Sequence, residues 1–244
     1  MTHLEAHWGQ LIIQRNGKII TRLNCCACDD GIDPILMDYF KIEIAPTDDM
    51  QRTLDAGCNM LSDSGYNDVA ADTLTRIKAH CANEHTDAVK QAYEEGNFNS
   101  HPGSPSGFHK ESCFSQVEIL ADGQIQVRLQ KCILKDGILI SLPQYHRTVL
   151  NPLISAIPAH MARISTHLVS LGDGAVVISD IGRIDTTAGI ENTPLCVARY
   201  RVFNETGAVE RYSSASAQRK SPGQLEAAQA RLDTANSTLA GLGG

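Results

Sequence analysis

The chain has 244 residues, is 42% hydrophobic and carries a formal charge of −7. It has no cluster of Lys and Arg able to displace counterions, which argues against a nucleic-acid or phospholipid partner. No apolar run approaches the ~20 residues that a bilayer span needs. The opening MTHLEAHWGQ lacks the basic-then-apolar pattern of a secretory leader, so the eight cysteines are expected as reduced thiols in the cytoplasm, or in a virion if the chain is phage-derived.

Residues 11–23 read LIIQRNGKIITRL. Asn16-Gly17 lies between two β-rich runs and both residues tolerate the positive φ of a type I′ turn, so an N-terminal β-hairpin region is expected over residues 1–45. The period then turns helical over residues 46–96. Thr47 or Asp48 caps a first helix reaching about Leu61, and Asn67 caps a second with Val69, Ala70, Leu74, Ile77 and Cys81 on one face. A third runs from Thr86 to Glu95 and stops at Gly96. Residues 97–115, rich in Gly, Pro and Ser, form a connector.

Gly-containing turns recur at residues 121–124, 135–138, 172–175 and 205–208, each followed by Val, Ile or Leu. The stretch Ile119-Leu120-Ala121-Asp122-Gly123 is echoed by Ile133-Leu134-Lys135-Asp136-Gly137, as in an antiparallel meander. Residues 116–220 are therefore expected to be a β-rich region holding one helix, which starts near Ser155 with Pro158 in its first turn. Its apolar stripe is Met161, Ile164, Leu168 and Leu171. Strands are expected at residues 175–181, 195–203 and 208–213. The segment 221–244 opens on Ser221-Pro222 and places Leu225, Ala228, Leu232, Ala235, Leu239 and Leu242 in a heptad seam. The class these elements define is α+β: an antiparallel, hairpin-rich sheet with an inserted helical segment and a C-terminal helix.

Three groups of residues invite chemistry. In the connector, Cys113 with His109 or His101 as base is a candidate thiol nucleophile. The glycines Gly103 and Gly107 with Lys110 and Ser112 miss the spacing of a phosphate loop and lead from helix to strand, the reverse of what such a loop needs. Cys25 and Cys28 form a CxxC that could join Cys81 and His85 in a Cys3His zinc set. Asp29, Asp30 and Gly31 follow it instead of a helix, which argues against a redox motif. His160 and His167 are two helical turns apart, about 10 Å, too far to share one ion. His146-Arg-Thr148 lacks the second half of a paired phosphoesterase motif.

None of these sets is a complete catalytic constellation, and the first expectation is therefore no cofactor and no catalysis. The turn-rich antiparallel strands and the terminal heptad helix favour a non-enzymatic interaction or assembly protein, a structural or inhibitory component of a larger, phage-like complex. Its partner would be another protein or a second copy of itself, met through Leu225, Leu232 and Leu239. The alternative is a small hydrolase or transferase that uses Cys113 with His109, or zinc on Cys25, Cys28, Cys81 and His85.

Overall fold

Leu11, Ile13, Ile19, Thr21 and Leu23 are fully buried, while Ile12 and Ile20 are half-covered and Arg22 is exposed. That two-residue period is what one face of a sheet requires. The computed structural model describes residues 3–29, 32–66, 68–69, 71–96, 106–141, 144–154, 156–214, 218, 221 and 223–242. Its elements are β1 (His3–Gln14), β2 (Ile19–Asp29), β3 (Ile32–Ile44), α1 (Met50–Asp63), β4 (Asp68–Val69), α2 (Ala71–Glu84) and α3 (Asp87–Glu94). After these come β5 (Phe108–Leu120), β6 (Ile125–Lys135), β7 (Ile138–Leu139), β8 (Gln144–Leu150) and α4 (Ile157–Ser170). The chain closes with β9 (Ala175–Val176), α5 (Ile178–Glu191), α6 (Pro194–Ser213) and α7 (Gln224–Gly241).

The long strands pair antiparallel in the order β3-β2-β1-β5-β6, and β7 and β8 both follow on β6. β4 lies parallel to the first half of β1, and β9 lies parallel to β5. Helices α1, α2, α4 and α5 contribute Leu54, Leu61, Ile77, Met161, Leu168 and Ile184 to a single core with one face of the sheet. The α+β class and the hairpin-rich sheet hold, as do the inserted helices and the terminal helix.

The chain is an internal duplication. β2 (Ile19–Asp29) recurs as β6 (Ile125–Lys135) at an offset of 106 residues, and β3 (Ile32–Ile44) recurs as the span of β7 and β8. At an offset of 107, α1 recurs as α4, β4 as β9 and α2 as α5, each with the same length; α6 begins where the repeat of α3 would. The halves join through β1 and β5, whose register runs from Gln10↔Leu120 to Gln14↔Gln116 and centres on Ile12↔Glu118. Ile12 and Glu118 are equivalent at the 106 offset, so an approximate two-fold axis passes between them. Side-chain contacts repeat as well. Arg22 stacks over Tyr39 at 4.2 Å and Arg128 over Tyr145 at 4.8 Å. A Cβ on Gly17 would strike Val89 and Pro46; one on Gly123 would strike Cys196 and Pro152.

Several local expectations are corrected. At Asn16-Gly17 and Asp122-Gly123 only the glycine has positive φ (81° and 80°). The preceding side chain accepts from the backbone two residues on, Asn16 Oδ1 from Lys18 N–H and Asp122 Oδ1 from Gln124 N–H, both at 3.0 Å. These are type I turns closed by a left-handed glycine. The type I′ geometry occurs at Asp136-Gly137, with φ of 52° and 78°. The turn expected at residues 172–175 does lead into strand, with Gly172 at φ 83°, but it follows α4 rather than a strand; the one expected at 205–208 is interior to α6. The strand expected at 175–181 is two residues of β9 followed by α5; those at 195–203 and 208–213 are the single helix α6. Among the described residues, 116–220 thus hold at least α4, α5 and α6 where one helix was expected. The 97–115 connector gives way to strand at Phe108.

Asp49 caps α1, accepting from Arg52 N–H at 3.1 Å, where Thr47 or Asp48 was expected. Thr86, where the third helix is expected to begin, caps α3. The expected cap Asn67 and the expected helix start Ser155, together with Pro222, Gly103, His101, Asp30 and Gly31, lie outside the described residues.

Candidate functional site

The β5 strand places His109 and Cys113 four residues apart, about 13 Å along an extended chain, so the imidazole cannot serve the thiol as base. His109 faces Glu111 at 3.5 Å. Cys113 is buried with its Sγ 3.2 Å from that of Cys132, and the hydrogen bond to Cys132 together with burial holds its thiol far above the ordinary range. Both disfavour the thiolate that a nucleophilic Cys113 would need.

The expected Cys3His set is likewise dispersed. Cys25 and Cys81 belong to the apolar core between sheet and helices. Burial pushes the Cys81 thiol up to about 12. His85 spends its Nε2 on Gly17 O at 3.1 Å, and burial lowers its basicity. Cys28 is directed away from this core, toward Glu5 and His7 of β1. His146 and His167 come within 6.3 Å of each other, while His160 contacts Arg163 on the exposed side of α4.

The structure brings together a charged cluster that spans the two-fold axis. Arg76 on α2 binds Glu191 on α5, with Nε 3.4 Å from Oε1, and Arg183 on α5 binds Glu84 on α2 at 2.7 Å. The two pairs are equivalent at the 107 offset. Each arginine also stacks on the aromatic ring of its own half, Arg76 over Trp8 at 3.7 Å and Arg183 over Phe114 at 4.5 Å. His80 donates to Glu191 Oε1 at 2.7 Å. Burial alone would raise the Glu191 carboxyl, but the His80 hydrogen bond and Arg76 outweigh it and hold it below the usual range.

The halves differ around this cluster. Arg15 reaches across the axis to Phe114 O at 2.9 Å and to Asp180 at 3.4 Å. Its equivalent in the second half is Ala121, and there a cavity of about 410 Å³ opens beside Arg76, Glu191 and Cys196. The Asp72–Arg199 ion pair, 3.2 Å, also lines it. All four charged groups of the wall are matched in pairs. Burial, then Glu191, pushes the Cys196 thiol up to about 11. The cavity thus places a raised thiol beside two matched ion pairs.

The C-terminal seam is placed by α6. Arg231 binds Glu205 at 2.9 Å, and the C-terminal helix packs back along α6 as a helical hairpin. Ala228 and Ala235 are buried there, while Leu225, Leu232 and Leu239 are half-covered beside them. No helix of the described residues is long and apolar enough to cross a membrane.

Comparison with family models, with curated proteins and with solved structures returns no match. Two features escaped the sequence reading although the sequence carries traces of both. One is the duplication, signalled by Gly17/Gly123, Arg76-Ile77/Arg183-Ile184, Glu84/Glu191 and Thr86/Thr193 at matching offsets. The other is the alternation of His3, Glu5 and His7 along one strand.

Proposed function

We propose that the protein is a non-enzymatic assembly component that self-associates through the α6–α7 hairpin. The observation that supports this reading is the state of Leu225, Leu232 and Leu239. The hairpin closes on its alanines and leaves these three leucines half-covered along one side, with Phe203 of α6 56% exposed. α6 and α7 pack chiefly on each other. Two helices joined through small residues bury only a narrow strip, and pairing two such hairpins into an antiparallel four-helix bundle covers what is left. The partner is a second copy of the chain because its own hairpin has matching lengths, 20 and 18 residues, and the same unfilled stripe. The buried, raised thiols of Cys113 and Cys81 and the paired charges of the cavity speak against the hydrolase or transferase alternative.

Sedimentation of the full chain tests the reading. A dimer or higher species is expected, and Leu232→Glu with Leu239→Glu should return it to a monomer with an unchanged circular dichroism spectrum. A monomeric wild-type chain overturns the proposal. So does an oligomer that survives these substitutions and yields instead to Met37→Lys on the apolar edge strand β3, where Ile35, Leu36 and Met37 are exposed.

A further inference from the structure

The two halves treat one corner of the sheet differently. In the second half, Cys113, Cys132 and Leu134 form a small buried cluster with Leu139 and Val177 against it. At the 106 offset the equivalents of Cys113, Cys132 and Leu134 are His7, Cys26 and Cys28. The same corner is thus closed by apolar contact in one half and lined by metal-binding side chains in the other. Glu5, the equivalent of Glu111, completes the set.

Three donor atoms converge there. His7 Nε2 lies 2.9 Å from Glu5 Oε2, and Cys28 Sγ lies 3.7 Å from His7 Nε2 and 3.8 Å from Glu5 Oε2. They form the one group of three or more His, Cys, Asp or Glu donors gathered within 4.8 Å among the described residues. For zinc bonds of about 2.3 Å to sulfur and about 2.0–2.2 Å to nitrogen or oxygen, tetrahedral angles put neighbouring donors about 3.3–3.8 Å apart. The two sulfur distances already meet that geometry, and a small outward rotation of the Glu5–His7 pair, now hydrogen-bonded, meets the third. The backbone holds the donors in place: Glu5 and His7 are two apart on one face of β1, and β2 pairs Cys26 with Glu5 and Cys28 with His3. Cys28 is 9% exposed, whereas the side chains of His7 and Glu5 are 36% and 30% exposed, so the group is closed on the sulfur side and open to solvent on the other.

We propose that Glu5, His7 and Cys28 form a binding site for zinc or a similar borderline divalent ion, with the fourth position open to water or an exchangeable ligand. A mixed thiolate, imidazole and carboxylate set selects such an ion over calcium or magnesium, which take oxygen donors. On binding, the Cys28 thiol gives up its proton to solvent and His7 exchanges its hydrogen bond to Glu5 for the metal. The site is independent of the helical hairpin and of the assembly reading.

Cobalt(II) titration of the full chain, followed by zinc competition, tests the assignment. One equivalent of cobalt should bind with a thiolate-to-metal absorption band and the visible bands of four-coordination, and zinc should displace it. Cys28→Ser should abolish the thiolate band. His7→Gln and, separately, Glu5→Gln should weaken binding by more than the roughly 10–100-fold typical of losing an outer partner. Cys196→Ser, at the distant cavity, should change nothing. Each variant is checked by circular dichroism, and should Cys28→Ser fail to fold, the exposed-side variants His7→Gln and Glu5→Gln decide. Cobalt binding without a thiolate band, a band that survives Cys28→Ser, or affinity unmoved by His7→Gln overturns the proposal.

Discussion

At the scale of single residues, the reciprocal pairs Arg76–Glu191 and Arg183–Glu84 matter most for the body of the molecule. Glu191 is 2% exposed, so removing its arginine leaves a buried carboxylate without its main counter-ion. Arg76→Ala should therefore cost about 3–5 kcal/mol in urea unfolding. The Glu191 carboxyl titrates lower in the folded chain than in the unfolded one, where the ordinary value is about 4.3. Its contribution is thus present above that pH and is lost as pH falls through the folded value. Unfolding midpoints should drop on acidification below about pH 4.5, and Glu191→Gln should flatten that dependence. A slope identical in the variant would show that other carboxylates set the acid limit. Thiol mapping gives a separate check: half-exposed Cys58 and Cys196 should label in the folded chain while Cys113 stays protected until unfolding.

At the scale of elements, glycines with the same chemistry have opposite roles. Gly123 turns from β5 to β6 at φ 80°, and an added Cβ would lie 2.2 Å from Cys196 Sγ. Gly123→Ala should destabilise by at least the ~1–2 kcal/mol of a left-handed alanine. Gly189 is exposed in the interior of α5 with nothing within 4 Å of such a Cβ, and its equivalent in the first half is Ala82. Gly189→Ala should stabilise by roughly 0.5–1 kcal/mol. Thermal unfolding of the two variants reads both signs at once. α7 is the largest element-scale question. Truncation after Ser221 removes Leu225, Leu232 and Leu239, each able to contribute about 1.5–3 kcal/mol where fully buried. The sheet signal should survive and the sedimenting mass should fall; loss of the whole fold would place α7 in the core instead.

At the scale of the whole molecule, two equivalent halves share one core. Leu11, Ile77, Val117, Ile184 and their neighbours belong to a single buried cluster that draws on both repeats. The β1–β5 pairing and the crossed ion pairs both join one half to the other. A chain divided between α3 and β5 and co-expressed as two pieces should therefore purify as a one-to-one complex. Two separately soluble, folded pieces would mean that each half is a domain in its own right.

Much of the fold was written locally. The Asn16-Gly17 and Asp122-Gly123 turns, the Thr86 cap and the alternation in residues 11–23 act over two to four residues, and the structure uses all of them. Where two local tendencies conflicted, the sequence misled: Val197, Tyr200 and Val202 favour strand, yet Thr193-Pro194 starts a helix, with Thr193 Oγ1 accepting from Cys196 N–H at 3.1 Å, and α6 runs through them. β-propensity yields to packing, and packing is not local. The same limit hid the candidate sites. Cys25 and Cys28 look like one motif in the sequence, but β2 sends one thiol into the core and the other to the opposite face. Arg76 and Glu191 stand 115 residues apart. The sequence by itself determined where the chain turns at Asn16-Gly17 and Asp122-Gly123, and the α+β class, because short-range sterics and hydrogen bonds act within a few residues. Only the tertiary structure decided which side chains meet across the two-fold axis, because strand register and a shared core, built from both halves at once, set those distances.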